Sequence, residues 1–471
     1  MKNIKVPLTI LGILLAVIPC WAQNNREEQD RLSRLHWNRM LNLLDISLPD
    51  TLPPHAEDPD RPAYTFQEEG SSNWTDEEGN TYIRGPWGKW TNYEEAKANP
   101  YPQLPDPLRL NDGTKVSSPQ LWWEHKRPEL RRYFNEEIYG KIPEKLPSVH
   151  WKVLSTSDTT INGIAALKKK LVGQVDNSVY PAVEVNIELT LVTPADTDTK
   201  VPAMIHLGYD FPPGIELPDS YDRWKFQVLQ KGWGYATYIP TSVQPDHGAG
   251  LKEGIIGLVN KGDLRAPDEW GALRAWAWGA GKVLDYLKQD VNVDAQKVGI
   301  EGVSRYGKAA LVTMAYDPRF AIALIGSSGK GGATLYRRNY GETIGILGSS
   351  GEFHWFAGNL IKYAGPLNAS HLKVDTHELI AMCAPRPVFI STGSPEVEGR
   401  WMDNEGQFLA AKHAGPVYEL FDKKGVGSDS IPNIGVGLME GEIAFRQHKG
   451  GHTDAPNWPY FLEFASRYLS D

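Results

Sequence analysis

From about residue 149 onward, short apolar runs alternate with stretches of helical spacing. Val183 to Leu191 alternates apolar and polar residues, the period of a strand with one covered face. Val201 to Leu207 and Gly234 to Ile239 are compact apolar runs and read as buried strands. Asp268 to Leu287 places Trp270, Leu273, Trp276, Ala277, Ala280 and Leu284 at helical spacing. Val298 to Gly302 reads as a further strand, followed by a helix from Arg305. Phe320 to Ile325, Pro387 to Thr392 and Val417 to Phe421 extend the series of strands, and Tyr460 to Leu469 reads as a closing helix. Strands alternating with helices imply a mostly parallel central sheet covered on both faces, an α/β three-layer sandwich.

Upstream the pattern is different. Residues 23 to about 103 are polar and rich in Pro, Gly, Asp and Glu, with Trp74, Trp87, Trp90, Tyr93 and Tyr101 set among turn residues. They read as an irregular arm wrapping a main domain that runs from 104 to 471. Near the junction, Pro119 to Tyr139 reads as a helix starting at Ser118, with Leu121, Trp122, Leu130, Tyr133 and Phe134 along one stripe.

Residues 1–22 have the layout of a secretory signal: Lys2 and Lys5, an apolar run from Val6 to Ile18, and Cys20-Trp21-Ala22 as a cleavage site. The run is shorter than the roughly 20 residues a membrane span needs. A mature start at Gln23 and a secreted or periplasmic location are expected, and Pro19 argues against lipid on Cys20. Cleavage would leave Cys383 without a disulfide partner, in the apolar stretch Leu379 to Ala384 where a buried, inert thiol is expected.

Composition narrows the function classes. Charged residues make up 23% of the 471, which is globular. The formal net charge of −9 comes without a basic run, so no nucleic-acid footprint is present. Sixteen Trp and 20 Tyr would suit stacking on sugar faces, although core packing accounts for many such rings equally well.

The sharpest local signal is Gly299-Ile300-Glu301-Gly302-Val303-Ser304-Arg305-Tyr306-Gly307-Lys308. An apolar strand enters Gly-x-Ser and leaves into a helix of small residues, the setting of a nucleophile elbow in the α/β-hydrolase fold. The usual last Gly comes one residue late, at Gly307, so a helix-capping Ser is the alternative. A serine nucleophile needs a base, and in this fold the order is Ser, acid, His. His452 follows the last strand and precedes the final helix, and His448 is its rival. Gly450-Gly451 would break the helix that a metal-binding His pair needs, so no metal is expected, and no cofactor. The acid should follow the strand ending at Thr392, where Glu396, Glu398 and Asp403 compete. Distance along the loop favours Glu396 or Glu398.

Gly302-Val303-Ser304-Arg305-Tyr306-Gly307-Lys308 resembles the Gly-Cys-Ser-Arg-x-Gly-Lys signature of the glucuronoyl esterases, carbohydrate esterase family 15, whose bacterial members are often labelled acetylxylan esterases. Leu104 to Leu108, Trp122-Trp123, Tyr139-Gly140, Ser328-Gly329, Gly331 to Ala333, Arg337-Arg338, Trp355-Phe356 and Gly450 to His452 extend the resemblance over about residues 104 to 469. The resemblance implies that Ser304 attacks an ester of (4-O-methyl)glucuronic acid on xylan, as in lignin–carbohydrate linkages. It further implies that Arg305 stabilises the oxyanion and that Lys308, Glu352 and Trp401 hold the sugar. The elbow carries Val303 where fungal members show Cys, and Ser327 stands where they carry the acid. The acid is thereby left to the later loop, and distance from Trp401 selects Glu398, with Glu396 as runner-up. A monomer is expected. An acetylxylan or other carbohydrate esterase is the alternative within catalysis, and a non-catalytic carbohydrate-binding protein is the alternative outside it.

Overall fold

The computed structural model describes residues 20–46, 73–75, 81–84, 90–195, 197–211 and 219–470. Thirteen strands are present among them: β1 (Asn73–Thr75), β2 (Thr81–Arg84), β3 (Trp90–Thr91), β4 (Val149–Ile161), β5 (Ile164–Val175), β6 (Asn186–Pro194), β7 (Val201–Leu207), β8 (Gly234–Tyr238), β9 (Val293–Val303), β10 (Ile322–Gly326), β11 (Val388–Thr392), β12 (Gly437–Leu438) and β13 (Ile443–Gln447). The first three form a small antiparallel sheet. The other ten form one sheet in the order β12-β13-β11-β10-β9-β7-β8-β6-β5-β4. Pairing is parallel from β13 through β8 and antiparallel at both edges. The outermost strand β4 is mostly solvent-exposed and rich in Ser and Thr, with Asp158, which blunts the open edge.

The period of two sorts the parallel strands onto two cores. Ala203, Ile205 and Leu207 of β7, Ala323 and Ile325 of β10, and Ile443 and Phe445 of β13 face one core. Met204, Leu324 and Ala444, at the intervening positions, face the other. The principal helices are α1 (Cys20–Leu44), α2 (Asp219–Gln230), α3 (Ala272–Leu287), α4 (Arg305–Tyr316), α5 (Asn404–Glu419) and α6 (Trp458–Leu469). The first core is closed by α3, α4 and α5, and the second by α2 and α6, giving three layers. In α3, Trp276, Ala280, Leu284 and Leu287 are fully buried, so its apolar stripe is a core stripe. The run at 119–138 is helical and is capped by Ser118, whose hydroxyl accepts from the Leu121 N–H at 3.2 Å.

Two expectations are corrected. Val417 to Phe421 is not a strand: it lies in the last turn of α5 and the turn beyond it, with Val417 and Tyr418 buried. A short apolar run has no period of its own to distinguish strand from buried helix. The arm is not irregular throughout, because α1 is a 25-residue helix docked on the main domain. Trp37 Nε1 donates to the Gly348 carbonyl at 2.7 Å, and the Ala249 N–H donates to Ser33 Oγ at 3.0 Å. Further along, Tyr93 packs edge-on to Tyr340, while Trp87 and the side chains of Trp74 and Trp90 lie outside the described residues. Most of the expected signal segment, residues 1–19, also lies outside them. Among the described residues no helix is long and apolar enough to cross a membrane. Cys383 is fully buried, and burial pushes its thiol up to about 12.

Candidate active site

Parallel strands deliver their C-terminal ends to one edge of the sheet, and β9, β11 and β13 lead there to Ser304, Glu398 and His452 in turn. Ser304 sits between β9 and α4 at φ 62° and ψ −129°, a region that a non-glycine residue enters at a cost of order ~1–3 kcal/mol. Its neighbours fix it there. The Ser304 N–H donates to the Gly326 carbonyl at 2.9 Å, and its carbonyl accepts from the Lys308 N–H at 3.0 Å. A Cβ on Gly302 would lie 2.4 Å from the Tyr306 carbonyl oxygen, and one on Gly307 would lie 2.5 Å from that of Gly326. Both glycines are therefore required by close backbone approach, and the late Gly307 serves the packing of α4 against the end of β10.

The loop after β11 brings one carboxylate to the histidine. His452 Nδ1 lies 2.6 Å from Glu398 Oε1. Glu398 Oε2 accepts from the Thr392 hydroxyl at 3.0 Å and from the Gly393 N–H. The acid and histidine loops are stitched together, since the Ser394 N–H donates to the Gly450 carbonyl at 3.0 Å. The other two candidate acids are elsewhere. Glu396 is exposed. Asp403 is buried on Arg338 at 2.8 Å and caps α5 through the Gly406 N–H. His448 is a loop organiser: Nδ1 accepts from the Gly450 N–H at 2.9 Å, so Nε2 carries the hydrogen and donates to the Thr453 carbonyl at 2.6 Å. Ser327 is buried after β10, and its N–H donates to the Ser391 carbonyl.

Beside Ser304, the Arg305 guanidinium is anchored by Asp246 at 2.5 Å and lies 5.2 Å from the centre of the Trp355 ring. Asp246 also accepts from Trp355 Nε1 at 2.6 Å and from His354 Nε2 at 3.1 Å. Burial alone would raise the Asp246 carboxyl, but the His354 bond and the Arg305 charge bring it down to about 2. A fixed cation beside a serine hydroxyl on an elbow, with a carboxylate-oriented imidazole on the neighbouring loop, is the equipment of acyl transfer.

The family described as glucuronyl esterase, fungi, matches this chain over residues 182–422. A curated carbohydrate esterase from an unknown prokaryotic organism is 31% identical over 80% of this chain and 92% of its own length. The solved glucuronoyl esterase of Teredinibacter turnerae, of carbohydrate esterase family 15, is 40% identical with a TM-score of 0.79, covering 92% of this chain and 99% of that one. This chain belongs to the glucuronoyl esterases, carbohydrate esterase family 15. Other similar members are a solved glucuronoyl esterase from Solibacter usitatus (33% identical, TM-score 0.71, 80% of this chain and all of that one) and a curated 4-O-methyl-glucuronoyl methylesterase from Wolfiporia cocos (28% identical, 67% and 72%). The α/β-hydrolase fold expected from the elbow is therefore the fold of this glucuronoyl esterase.

Trp401 and Lys308, two of the residues expected to hold sugar, lie close to this centre. Trp401 lies with its ring centroid 5.2 Å from that of His452 and donates from Nε1 to the Glu398 carbonyl at 2.8 Å. Lys308 is buried, and its ammonium donates to the Ser328 and Lys330 carbonyls, both at 2.8 Å, and meets Glu342 at 3.3 Å. Glu352 is half-buried and precedes the turn Phe353–Trp355. Motif reading did not pick out three further residues. Glu342 links the Lys308 ammonium to the Trp401 loop, since its N–H donates to the Trp401 carbonyl at 2.9 Å. Asp246 anchors Arg305. Tyr209 donates to the Val303 carbonyl at 3.1 Å, one residue before Ser304. Burial pushes the Tyr209 phenol up to about 12, so it stays a neutral donor.

Proposed function

We propose that this chain is a secreted serine esterase that cleaves esters of (4-O-methyl)glucuronic acid carried on xylan, the class of ester that joins xylan to lignin alcohols. The observation that carries the reading is the Glu398–His452 bond beside the Ser304 elbow, with Arg305 fixed next to the nucleophile. Curated relatives bear the name 4-O-methyl-glucuronoyl methylesterase, which supports the same acyl group. The signal-like residues 1–22 support export.

The chemistry is two-step acyl transfer. Glu398 accepts the Nδ1 hydrogen of His452, leaving the Nε2 lone pair to take the Ser304 proton as the hydroxyl attacks the ester carbonyl. Negative charge develops on the carbonyl oxygen. The Arg305 guanidinium and its backbone N–H, which has no intrahelical acceptor in the first turn of α4, are placed to receive it. The protonated His452 then gives its proton to the leaving alcohol, and water repeats the sequence on the glucuronoyl-enzyme. Lys308, Glu352 and Trp401 are taken to receive the uronate ring, with Trp401 offering a flat face and Glu342 tied to both Lys308 and the Trp401 loop.

The test is hydrolysis of benzyl glucuronate beside acetylated xylan, by the wild type and by Ser304→Ala. Cleavage of benzyl glucuronate that is lost in the variant, with little acetate release by either, supports the reading. Acetate release without uronate cleavage would move the function to deacetylation on the same machinery. Sugar binding with no turnover, and no labelling of Ser304 by a phosphonate, would make the protein a binder.

A further inference from the structure

Behind the Ser304 elbow, on the face of the sheet covered by α2 and α6, lies a buried acidic cluster with no part in the steps above. Glu301 on β9 precedes Ser304 by three residues and is fully buried. Asp454 follows His452 by two and is also buried. The two carboxyl groups are within hydrogen-bonding reach of each other. Glu301 Oε1 and Asp454 Oδ2 are buried oxygens with no donor. Glu301 Oε2 is already taken by His206 Nδ1 at the end of β7.

The surroundings do not neutralise two negative charges. Burial pulls His206 down to about 4, so it is a neutral imidazole that donates N–H but brings no charge. Its ring lies 4.7 Å from that of Trp224, which is itself stacked on Trp458 of α6 at 4.9 Å. The other titratable groups facing the cluster are Tyr209 after β7 and Tyr221, Asp222 and Lys225 on α2. Lys225 is paired with Asp222 at 2.6 Å. Two ionised carboxylates in contact in a dry interior repel strongly, and each would leave an oxygen without a donor. One proton between them removes one charge and supplies both oxygens with a hydrogen bond. Burial accordingly raises both groups, and the neighbouring Glu301 charge raises Asp454 again, so the last proton of the pair is held into alkali.

The cluster also joins the two halves of the machinery. Asp454 Cβ packs 3.2 Å from where a Cβ on Gly326 would stand, and the Gly326 carbonyl holds the Ser304 N–H. We propose that Glu301 and Asp454 are positioning residues: a carboxyl pair sharing one proton, which latches the His452 loop to the Ser304 strand and lets go when alkali removes that proton. The proposal rests on the assignment of Ser304 and His452 as nucleophile and base.

Glu301→Gln separates the latch from the charge, because the amide keeps a hydrogen for Asp454 at every pH. The kcat of benzyl glucuronate hydrolysis is measured from about pH 6 to about pH 10 for the wild type, Glu301→Gln and Glu301→Ala. The wild type is expected to lose kcat on the alkaline side of neutrality, as the last proton leaves the pair, with KM little changed. Glu301→Gln should retain most of the neutral kcat and lack that decline, and Glu301→Ala should lose kcat about tenfold or more across the range. Coincident alkaline limbs for wild type and Glu301→Gln would overturn the latch. Infrared difference spectroscopy gives a readout independent of turnover and of the alanine variant's folding. A protonated-carboxyl band should appear in the wild type at neutral pH and be missing in Glu301→Gln, and its absence from the wild type would also overturn the proposal. Full turnover by Ser304→Ala would instead sink the catalytic assignment, and the infrared result would still decide whether the shared proton exists.

Discussion

His452 is held from Nδ1 by Glu398 at 2.6 Å, and the Glu398 carboxylate is itself held at its other oxygen by Thr392 and Gly393. This carboxylate is thus tied to the end of β11 rather than carried on a loose loop, and it fixes both the tautomer and the plane of the imidazole. A Cβ on Gly393 would lie 2.7 Å from Glu398 Oε2 and 2.5 Å from the Gly450 carbonyl oxygen, so only glycine allows the two loops this approach.

Replacing the acid should therefore be severe and specific. Glu398→Gln keeps the shape but presents an amide that can hold the wrong tautomer, and kcat is expected to fall by about 10⁴-fold. Glu396→Gln, two residues away on the exposed side of the loop, should leave kcat within about twofold. Steady-state kinetics on benzyl glucuronate checks both. The opposite ranking would transfer the acid role to Glu396.

Asp246 bears on acid stability as well as on Arg305. Its carboxyl lies at about 2, below the ordinary 3.8, so ionisation stabilises the fold fully above about 3.8, and that contribution is lost as pH falls towards about 2. Asp246→Asn removes the titrating group. Its melting temperature should fall less steeply than that of the wild type across this window, from a lower starting value. With Arg305 no longer anchored, kcat should fall about tenfold or more while KM changes little. Parallel melting curves for the two proteins would refute the linkage.

The reach of the sequence followed the range of the interactions. The elbow at Ser304 was legible because it is local: Gly302 and Gly307 are both set by contacts within a few residues or at the next strand end. The position of His452, between the last strand and α6, is likewise legible in the sequence. Loop spacing alone leaves Glu396 and Glu398 as equals for the partner of His452, because the two differ by burial, a property of the folded loop. Asp246 and Tyr209 carry no motif, and they meet Arg305 and the Val303 carbonyl only through the topology. α1 was hidden by averaging. Residues 20–44 contain no Gly or Pro, and Ser33, His36, Trp37 and Met40 share a helical face, but the Pro-rich residues after them dominate the composition.

That helical face suggests a separable role. Met40 is buried, and a Cβ on Gly358 would lie 2.2 Å from its sulfur, so side chain and glycine fit closely. Met40→Ala removes a packed side chain, at a cost of about 2–5 kcal/mol if its site does not collapse. The loss should fall on the docking of α1. Limited proteolysis should cut within residues 20–44 faster in the variant, with kcat on benzyl glucuronate unchanged. A matching loss of kcat would tie α1 to the site.

Lys308 offers the sharpest discrimination between acyl groups. Its ammonium is spent on two carbonyls and Glu342, which ties α4 to the Trp401 loop. Lys308→Met deletes the charge and frees Glu342 from its partner. Charged hydrogen bonds contribute about 1.5–3 kcal/mol, so kcat/KM for a glucuronate ester should fall by about 10- to 100-fold. An acetyl group has no ring to reach this cluster, and turnover of an acetate ester should change far less. Equal losses on both esters, accompanied by a lower melting temperature, would make Lys308 a structural support alone and leave sugar recognition to Glu342, Glu352 and Trp401.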